Sequence, residues 1–423
     1  MTHFGLLCPA VSGHLNPMTT LGYELKKRGH RVTLVSILDA QPKVLAAGLE
    51  FRAVGEADFP AGSNAEAIAK LGQLSGLAAF RYTVDLFKKI TLTLLQEAPA
   101  AFQDAGVEAL LIDQTSFGGP TIAESMDLPF ISICCAIMLN QDPDVPPFNM
   151  NWSYHPAWWA RLRNQLGYRL VNQLAKPIVE LVADYRQQRG LPQFSHPNDV
   201  FSQLAQICQQ PAEFEYPRQS LPACFHFTGP FSNSASREPT FFPFEQLTGQ
   251  PLIYSSLGTI QNQLLGTFQT IAEACQDLDT QLVIALGGGS TPESLPVLPG
   301  SPLVVGFAPQ LELLQRTTLT ITHAGLNTTL ESLSNGVPMV AIPIANDQPG
   351  VAARIAWTRT GEVVSLKDLS VSKLRSAIEQ VLKEDSYKKN ALRLQHAIEQ
   401  AGGVKKAADI VEQAIATGKP VIR

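Results

Sequence analysis

The sequence predicts an α/β protein of the doubly wound class, with two Rossmann-like domains that face each other across a cleft. The chain has 423 residues, and at roughly 100–200 residues per domain this length predicts two or three domains. Short apolar runs alternate with helical stretches, as in a parallel sheet covered by helices. Two such series are separated by a polar stretch marked by proline, so each series is expected to form its own sheet.

The first 36 residues predict a strand, a helix and a second strand. An apolar run covers residues 3–9 and Ser12-Gly13-His14 predicts a turn. Asn16-Pro17 predicts the start of the helix, because proline suits the first helical position. Gly29 ends the helix after a run of cations, and residues 31–36 form the second strand. This spacing is typical of a right-handed βαβ unit.

The remaining pattern divides the chain into predicted domains. Helices are expected around 121–126 and over 152–189, and apolar runs predict strands at 107–113, 130–135, 251–256, 281–286, 303–307, 319–322 and 339–343. The predicted units are a first domain at 1–230, a linker at 231–249, a second domain at 250–400 and a C-terminal helix at 401–423 that packs back toward the first domain. Ligands bind beyond the carboxyl ends of such strands, so the site is expected in the cleft between the domains.

Composition excludes several classes of protein. The net charge is −5, so the chain shows no electrostatic footprint for nucleic acid. The six cysteines are scattered without the spacing of metal ligands, which predicts reduced thiols in a cytoplasmic protein. The N-terminus does not resemble a secretion signal, and no run of about 18 apolar residues predicts a membrane-spanning helix.

Residues 307–348 carry the strongest functional signal. Leu319–Thr322 predicts a strand, Gly325 permits a tight turn, and Asn327-Thr328 opens a helix whose free N–H groups face that turn. Such a helix N-terminus offers unpaired donors and partial positive charge, which suit a phosphate. His323 beside it is expected to add a charged donor.

Polar side chains extend this pattern. Glu331, one turn into the helix, has oxygens suited to accept from a ribose diol. Asp347-Gln348, at the end of the next predicted strand, can bind vicinal hydroxyls. An ordinary strand, turn and helix with polar caps would explain any one of these residues, but their combined spacing favours a functional site.

Other phosphate and metal motifs are weaker. No G-x-x-x-x-G-K-[ST] sequence is present, and Gly287-Gly288-Gly289-Ser290 leads into a proline-containing loop rather than a helix, which favours a flexible loop. Asp142-Pro143-Asp144 and Asp277-Leu278-Asp279 match the D-x-D pattern that can hold a divalent cation. Both are predicted to be solvated loops. No catalytic metal is expected, because the helix N-terminus already supplies a positive field.

The segment 307–348 closely resembles the C-terminal signature of UDP-sugar-dependent glycosyltransferases of the GT-B fold. The resemblance covers essentially the whole chain, with further motifs at 13–17 and 255–259. Within that family the chain is most similar to the bacterial zeaxanthin glucosyltransferases, and the segments that carry this similarity are 128–133, 221–226, 323–328 and 347–349.

The resemblance implies a role for each matching residue. His14 would be the general base that deprotonates the acceptor hydroxyl, and Asp113 would orient it and balance its charge. A carboxylate that stabilises the imidazolium makes this pairing chemically sensible. The residues that would hold the diphosphate, beside the turn at Gly325, are Gly258, Thr259, His323, Asn327 and Thr328.

The rest of the donor would meet five further side chains of the second domain. Gln310 would lie along the uracil edge, Glu331 at the ribose, and Asp347 and Gln348 at the sugar. Phe307 occupies the position at which many relatives stack uracil on a tryptophan. A phenylalanine can still stack on the base but offers less area than a tryptophan. The resemblance therefore still implies a preference for uridine.

The predicted function is the inverting transfer of a hexose, with glucose expected, from a UDP-sugar to the hydroxyl of a lipophilic acceptor such as zeaxanthin. No resident cofactor and no metal are expected, since the UDP-sugar is a co-substrate. Three alternatives stay open: transfer to polyketide, macrolide or phenolic aglycones, a UDP-sugar epimerase of similar architecture, and a nucleotide-binding module without activity.

Three of the four tryptophans lie close together in the first domain. Trp152, Trp158 and Trp159 occur with Arg161 and Arg163. One interpretation is a core with a solvated rim. The other is a lipid-facing lip near the acceptor mouth, where tryptophan and arginine favour the interface, and it would add a peripheral membrane contact.

Overall fold

The computed structural model describes residues 1–72, 74, 76–237, 240–259, 265–288 and 290–423. Glu238 and Pro239 of the predicted linker and Gly289 of the triple-glycine loop lie outside the described residues. The first sheet has seven strands in the order β3-β2-β1-β4-β5-β6-β7 and the second has six in the order β10-β9-β8-β11-β12-β13. The strands are β1 His3–Leu7, β2 Arg31–Ser36, β3 Glu50–Ala53, β4 Ala109–Asp113, β5 Phe130–Cys134, β6 Gln206–Cys208, β7 Phe225–Phe227, β8 Leu252–Ser256, β9 Gln281–Ala285, β10 Leu303–Val305, β11 Thr317–Thr322, β12 Met339–Ala341 and β13 Gly361–Val363.

Every strand pairing described is parallel, and helices cover the sheets, so the doubly wound α/β prediction is confirmed. The helices are α1 Ser12–Lys27, α2 Gln41–Ala46, α3 Ser63–Gly72, α4 Gly76–Ala105, α5 Gly119–Ser125, α6 Trp158–Gln188, α7 Leu265–Cys275, α8 Gln310–Leu314, α9 Leu326–Ser334, α10 Gln348–Thr358, α11 Val371–Lys383, α12 Asp385–Ala401 and α13 Gly403–Thr417.

The predicted start of the first helix is wrong. The helix α1 begins at Ser12, so the predicted turn is its first turn, and Pro17 lies inside the helix. Proline has no N–H to donate to the carbonyl four residues earlier, which is that of Gly13. That carbonyl instead accepts from the side chain of Asn327 at 2.8 Å. A contact between the two domains therefore compensates for the missing helical hydrogen bond.

Four short strands were not predicted: the edge strands β3, β7 and β13, and β6, which lies between β5 and β7. Each has three or four residues, too few for an alternating pattern to be recognised. The helix α6 starts at Trp158, because residues 152–157 are irregular. The other predicted strands lie within about two residues of the observed bounds, which is the usual uncertainty of a boundary.

The C-terminal helix lies on the first sheet's side of the molecule. In α13, Ala407 and Val411 are buried in the same cluster as Leu21 and Leu25 of α1. Arg28, at the end of α1, pairs with Asp409 and Glu412 of α13. The backbone N–H of Val421 then donates to the carbonyl of Leu204 at 2.9 Å. The end of the chain thus bridges from the second sheet to the first.

The two domains also meet through a buried ion pair. Arg354 of α10 donates to both carboxylate oxygens of Glu215, at 2.6 and 3.0 Å, and both side chains are buried. Burial opposes the ionisation of Glu215, but the charges of Arg354 and Arg218 outweigh it and lower its pKa to about 2. Phe214 beside it is fully buried among apolar residues of α9, α10 and α12. This contact ties residues 214–215 of the first domain to α10 of the second.

Candidate active site

A cavity of about 1730 Å³ occupies the cleft between the two sheets. Its lining includes the ends of β1, β4 and β11 and the loops that follow them. These are carboxyl ends of parallel strands, where a doubly wound fold binds its ligands. The site predicted for the cleft is therefore matched by a cavity of ligand size.

His14 and Asp113 meet on the first domain's side of this cavity. Asp113 is the last residue of β4, and His14 lies in the first turn of α1, next to the end of β1. The Nδ1 of His14 lies 2.9 Å from Oδ2 of Asp113. Thr115 donates its backbone N–H to the other oxygen of that carboxylate at 2.8 Å. A proton on Nδ1, held by Asp113, leaves Nε2 of His14 as the basic nitrogen.

Charge coupling sets the protonation of this pair. Burial alone would lower the pKa of His14, but the carboxylates of Asp113 and, more weakly, Asp347 raise it above its usual value. Burial would raise the pKa of Asp113, yet His14 outweighs it and lowers that pKa. Asp113 is 1% exposed, so its charge is little screened by solvent. The arrangement stabilises a protonated imidazole facing the cavity.

The start of α9 lies on the opposite side of the cavity. Gly325 is the residue before the helix, and the N–H groups of its first turn lack intrahelical partners. The tight turn is made by Ala324, whose φ is 63°, whereas Gly325 has an ordinary φ of −65°. Glycine is required at 325 for another reason, because a Cβ there would lie 2.4 Å from Nε2 of His323. A Cβ at Gly258 would lie 2.5 Å from the same atom.

His323 therefore lies between two glycines and is half-buried. Desolvation lowers its pKa to about 4, against a weak opposing effect of the Ser256 backbone. The prediction that His323 is a charged donor is wrong, since the imidazole is neutral near pH 7. Its Nδ1 has no hydrogen-bond partner among the described residues. A neutral ring next to a helix N-terminus can still donate to a ligand oxygen if its other nitrogen, the Nε2 that lies against Gly258 and Gly325, carries the proton.

The side chain of Asn327 joins the two domains. Its Nδ2 donates to the Gly13 carbonyl, and its Oδ1 accepts from Nε2 of Gln209 at 2.8 Å. In this arrangement a ligand would meet the backbone of Asn327 rather than its side chain. Thr328 follows it, buried beside the amide of Gln310, with its hydroxyl oxygen 3.4 Å from the Gln310 nitrogen.

Glu331 and Gln310 form a polar cluster with an arginine that the sequence patterns had not identified. Gln310 donates to one oxygen of Glu331 at 2.6 Å and accepts from Tyr254 at 3.0 Å. Arg237 pairs with the other oxygen of Glu331, and the Nε of Arg237 has no partner within the described part of the chain. Its only sequence signal was a cation in the predicted linker, which usually indicates a solvated turn.

Asp347 and Gln348 do not end a strand, contrary to prediction. The strand β12 stops at Ala341, and Pro343 follows, which has no N–H for a ladder bond. Asp347 precedes α10 and Gln348 is its first residue. The Oε1 of Gln348 accepts from the backbone N–H groups of Ile344 and Ala345 at 2.8 and 2.9 Å. Burial raises the pKa of Asp347, although nearby His14 opposes the shift.

Phe307, Gly258 and Thr259 also line the cavity. The ring of Phe307 is 55% exposed and lies against Gly288, where a Cβ would come within 2.5 Å of it. An exposed ring at the cavity wall offers a face on which a flat base can stack. Gly258 has φ of 79°, which only glycine adopts without strain. The residues after Thr259, 260–264, lie outside the described part of the chain.

The first D-x-D sequence is not a solvated loop. Asp142 is buried and accepts from three backbone N–H groups, those of Asp144, Gln219 and Ser220, at 2.9 to 3.2 Å. Its carboxylate thus holds a loop together. Asp277 and Asp279 are exposed, as predicted. Within the described ranges, no group of three or more His, Cys, Asp or Glu side chains could hold a metal ion.

Comparison with known proteins identifies the family. The model of the family described as UDP-glucoronosyl and UDP-glucosyl transferase matches residues 64–402, so the chain belongs to that family. It is 33% identical to a zeaxanthin glucosyltransferase of Pantoea ananas, over 100% of this chain and 98% of the relative. It is 31% identical to a zeaxanthin glucosyltransferase of Pseudescherichia vulneris, over the full length of both.

A solved structure confirms the fold. The glycotransferase of kitacinnamycin superposes with a TM-score of 0.77 at 21% identity, covering 98% of each chain. The protein is therefore a UDP-sugar-type glycosyltransferase of the GT-B fold, as the resemblance implied. The epimerase alternative gains no support from these comparisons.

Proposed function

We propose that this enzyme transfers glucose from UDP-glucose, with inversion, to a hydroxyl of a lipophilic acceptor such as zeaxanthin. The observation that carries the proposal is that the His14–Asp113 pair of one domain and the N-terminus of α9 of the other line the same cavity. A base and an anion-binding helix start on opposite walls are what a transfer between two bound substrates requires.

The proposed reaction uses Nε2 of His14 as its base. That nitrogen takes the proton of the acceptor hydroxyl as the oxygen attacks the anomeric carbon of the sugar. The bond from that carbon to the diphosphate oxygen breaks, and UDP leaves with the bonding electrons. Because attack and departure are in line on opposite faces, the configuration inverts. Asp113 stabilises the imidazolium that forms, and such proton transfer contributes about 10²–10⁴-fold.

The diphosphate would lie against the start of α9. Backbone N–H groups of Asn327 and Thr328, together with the glycine-containing turn at 258–259, would bind its oxygens. His323 is neutral, so it would donate a hydrogen bond without adding charge. No metal is invoked, since these donors and Arg237 would stabilise the negative charge of the leaving group.

Arg237 would supply the positive charge that the leaving group needs. Among the described residues of the second domain and linker that line the cavity, Arg237 is the one lysine or arginine. Its side chain lines the cavity and pairs with Glu331, which places the guanidinium where the donor is proposed to bind. We include Arg237 among the donor-binding residues, bridging Glu331 and the diphosphate.

The remaining contacts follow the donor outward from the diphosphate. Glu331 would accept from the ribose hydroxyls, and Gln310 would lie beside the uracil that stacks on Phe307. Asp347 would accept from hydroxyls of the sugar. Gln348 would donate to the sugar through its amide nitrogen, because its oxygen is already used by two backbone N–H groups.

The acceptor would occupy the first domain's part of the cavity. The whole cavity exceeds the usual range of about 300–1,000 Å³ for small-molecule sites, which leaves room for a long acceptor. Its wall there is largely apolar, and the side chains include Leu86, Phe87, Ile90, Leu94, Val171 and Phe201. Two relatives that match the full length of the chain are named zeaxanthin glucosyltransferases. All six cysteines are buried and unpaired, which suits the reducing cytoplasm in which we place the reaction.

The test is an acceptor screen with UDP-glucose, followed by mass spectrometry of the products. Zeaxanthin in liposomes, soluble phenols and macrolide aglycones are offered to the same enzyme, with UDP release measured in parallel. A glucosylated zeaxanthin with inverted linkage supports the proposal. Efficient transfer to phenols or macrolides and none to zeaxanthin would replace the acceptor while keeping the reaction. No UDP release with any acceptor would reject the proposed function.

A further inference from the structure

The outer face of the first three turns of α6 is apolar and exposed. The side chains of this stripe are between 45% and 75% exposed, and they are Trp158, Trp159, Leu162, Leu166 and Leu170. At 100° per residue they fall within a sector of about 120°. The opposite side of the same turns is buried. Single exposed apolar residues are ordinary, but a contiguous row of them indicates a contact surface.

This stripe differs in its members from the tryptophan cluster that the sequence indicated. Trp152 does not belong to it, because its ring packs against the position of Gly167 and under the guanidinium of Arg163. The interpretation as core is wrong for Trp158 and Trp159, which are exposed, while Trp152 is partly buried. The exposed apolar row instead continues along the helix through three leucines spaced four residues apart.

The charge around the stripe is positive, although the chain as a whole carries −5. No Asp or Glu occurs from residue 145 to residue 179. At the two ends, Arg161 pairs with Asp144 and Lys176 pairs with Glu180. Arg163 and Arg169 remain as the net positive charges, and Arg163 also lies over the ring of Trp159.

We infer that this stripe docks the enzyme onto an anionic phospholipid bilayer. Tryptophan and leucine would enter the headgroup region while the arginines meet lipid phosphates, as in interfacial amphipathic helices. Within the described residues no helix is long and apolar enough to cross a membrane, so contact at the surface is the route open to this helix.

Proximity to the cavity favours lipid over another protein as the occupant. Beyond the stripe, the opposite face of the same helix walls the cavity through Val171, Ala175 and Ile178. A helix seated in the interface would therefore place the acceptor cavity about one helix diameter, roughly 10 Å, from the bilayer. This inference rests on the proposed function, in which the acceptor is a lipid-soluble alcohol.

The experiment is cosedimentation of the full chain with vesicles, without donor or acceptor. Vesicles of phosphatidylglycerol with phosphatidylcholine are compared with pure phosphatidylcholine. The triple variant Leu162→Gln/Leu166→Gln/Leu170→Gln should lose about tenfold or more of its affinity for the anionic vesicles, because three apolar contacts are removed. The matched control is Leu45→Gln/Leu392→Gln, which changes exposed leucines elsewhere and should bind normally.

A second variant keeps the test independent of the stability of the triple variant. Arg163→Gln/Arg169→Gln should lower binding to anionic vesicles and leave the weaker binding to neutral vesicles unchanged. The inference would be overturned if the wild-type protein did not bind anionic vesicles, or if the triple variant bound them as well as the wild type. A triple variant that only turns a dimer into a monomer would make the stripe an interface between copies. UDP release with a soluble acceptor is measured separately, so failure of the proposed function would be seen there alone.

Discussion

The proposed donor and acceptor halves of the cavity are constructed in different ways. The proposed donor half depends on one short stretch, in which β11, the turn at 323–325 and α9 bring a half-buried imidazole, a helix N-terminus and a carboxylate together within nine residues. The acceptor half is assembled from α1, α4, α6 and several loops, which are far apart in the sequence. Polar groups that recognise a constant ligand can sit on one local motif, whereas an apolar surface takes its shape from distant elements.

This difference predicts that variants in the two halves fail in different ways. Changes on the first domain's wall should lower transfer and leave nucleotide affinity intact. Changes on the second domain's wall should alter donor binding. The following experiments are ordered from the largest expected effect to the smallest.

Replacing His14 should have the largest effect. His14→Ala removes the proposed base, so transfer should fall by about 10²–10⁴-fold. UDP affinity should stay within about twofold of wild type, since the proposed nucleotide contacts belong to the other half. Initial rates and calorimetric titration with UDP measure the two quantities. A parallel loss of UDP affinity, or transfer near the native rate, would contradict the assignment.

Replacing Asp113 should change both the rate and its pH dependence. The carboxylate raises the pKa of His14 above its usual value, and the base acts when neutral, so kcat/KM should rise with pH through that pKa. Asp113→Asn removes the charge and leaves burial, which lowers the pKa. The acidic limb should therefore move to lower pH while the plateau falls roughly 10- to 100-fold. An acidic limb that does not move would show that Asp113 does not set the pKa of His14. The control is Asp277→Asn, at an exposed turn.

Replacing Arg237 should weaken the binding of UDP more than the binding of uridine. Arg237→Gln should weaken UDP binding about tenfold, the effect of losing a charge-assisted hydrogen bond. Uridine, which has no phosphate, should bind almost as before. Arg316→Gln, at an exposed arginine of the same domain, serves as the control.

The double variant Arg237→Gln/Glu331→Gln tests the same residue without leaving a buried carboxylate unpaired. If both variants weaken uridine as much as UDP, Arg237 merely holds Glu331 in place. If the double variant still discriminates against UDP, the diphosphate contact is supported.

Two substitutions of Gln348 should distinguish sugar contact from loop support. Gln348→Ala removes an acceptor of two backbone N–H groups and should lower stability by about 1–3 kcal/mol along with transfer. Gln348→Glu retains that acceptor and should restore the stability but not the full rate. Thermal unfolding and rates with UDP-glucose measure this, with UDP affinity expected to be unchanged. Full recovery of the rate in Gln348→Glu would argue against a sugar contact through the amide nitrogen.

Chelation should have the smallest effect of all. Turnover in EDTA should equal turnover in buffer, because in the proposed mechanism the helix start and Arg237 would supply the positive field that a cation would otherwise provide. Loss of activity on chelation that Mg²⁺ or Mn²⁺ restores would show that the diphosphate site is incomplete without a metal.

Much of the donor half could be predicted because its parts are neighbours in the chain. The strand, the helix start and Glu331 follow from residues 319–331 alone. The exceptions arise where the environment decides the chemistry. His323 was expected to be charged, but burial between two glycines lowers its pKa to about 4. In the sequence Arg237 resembled a solvated linker residue, but in the structure it forms an ion pair with Glu331.

The sequence by itself determined the class of fold and the longer strands, because alternation of apolar runs and local turn chemistry are properties of neighbouring residues. The family followed from the resemblance of its motifs. Only the tertiary structure decided the rest. It showed that Pro17 lies inside α1 while Asn327 binds the orphaned carbonyl of Gly13, and that Trp158 is exposed while Trp152 is partly buried against Gly167. The physical reason is that burial, charge coupling and partners across a cleft depend on residues hundreds of positions apart, and no local pattern records them.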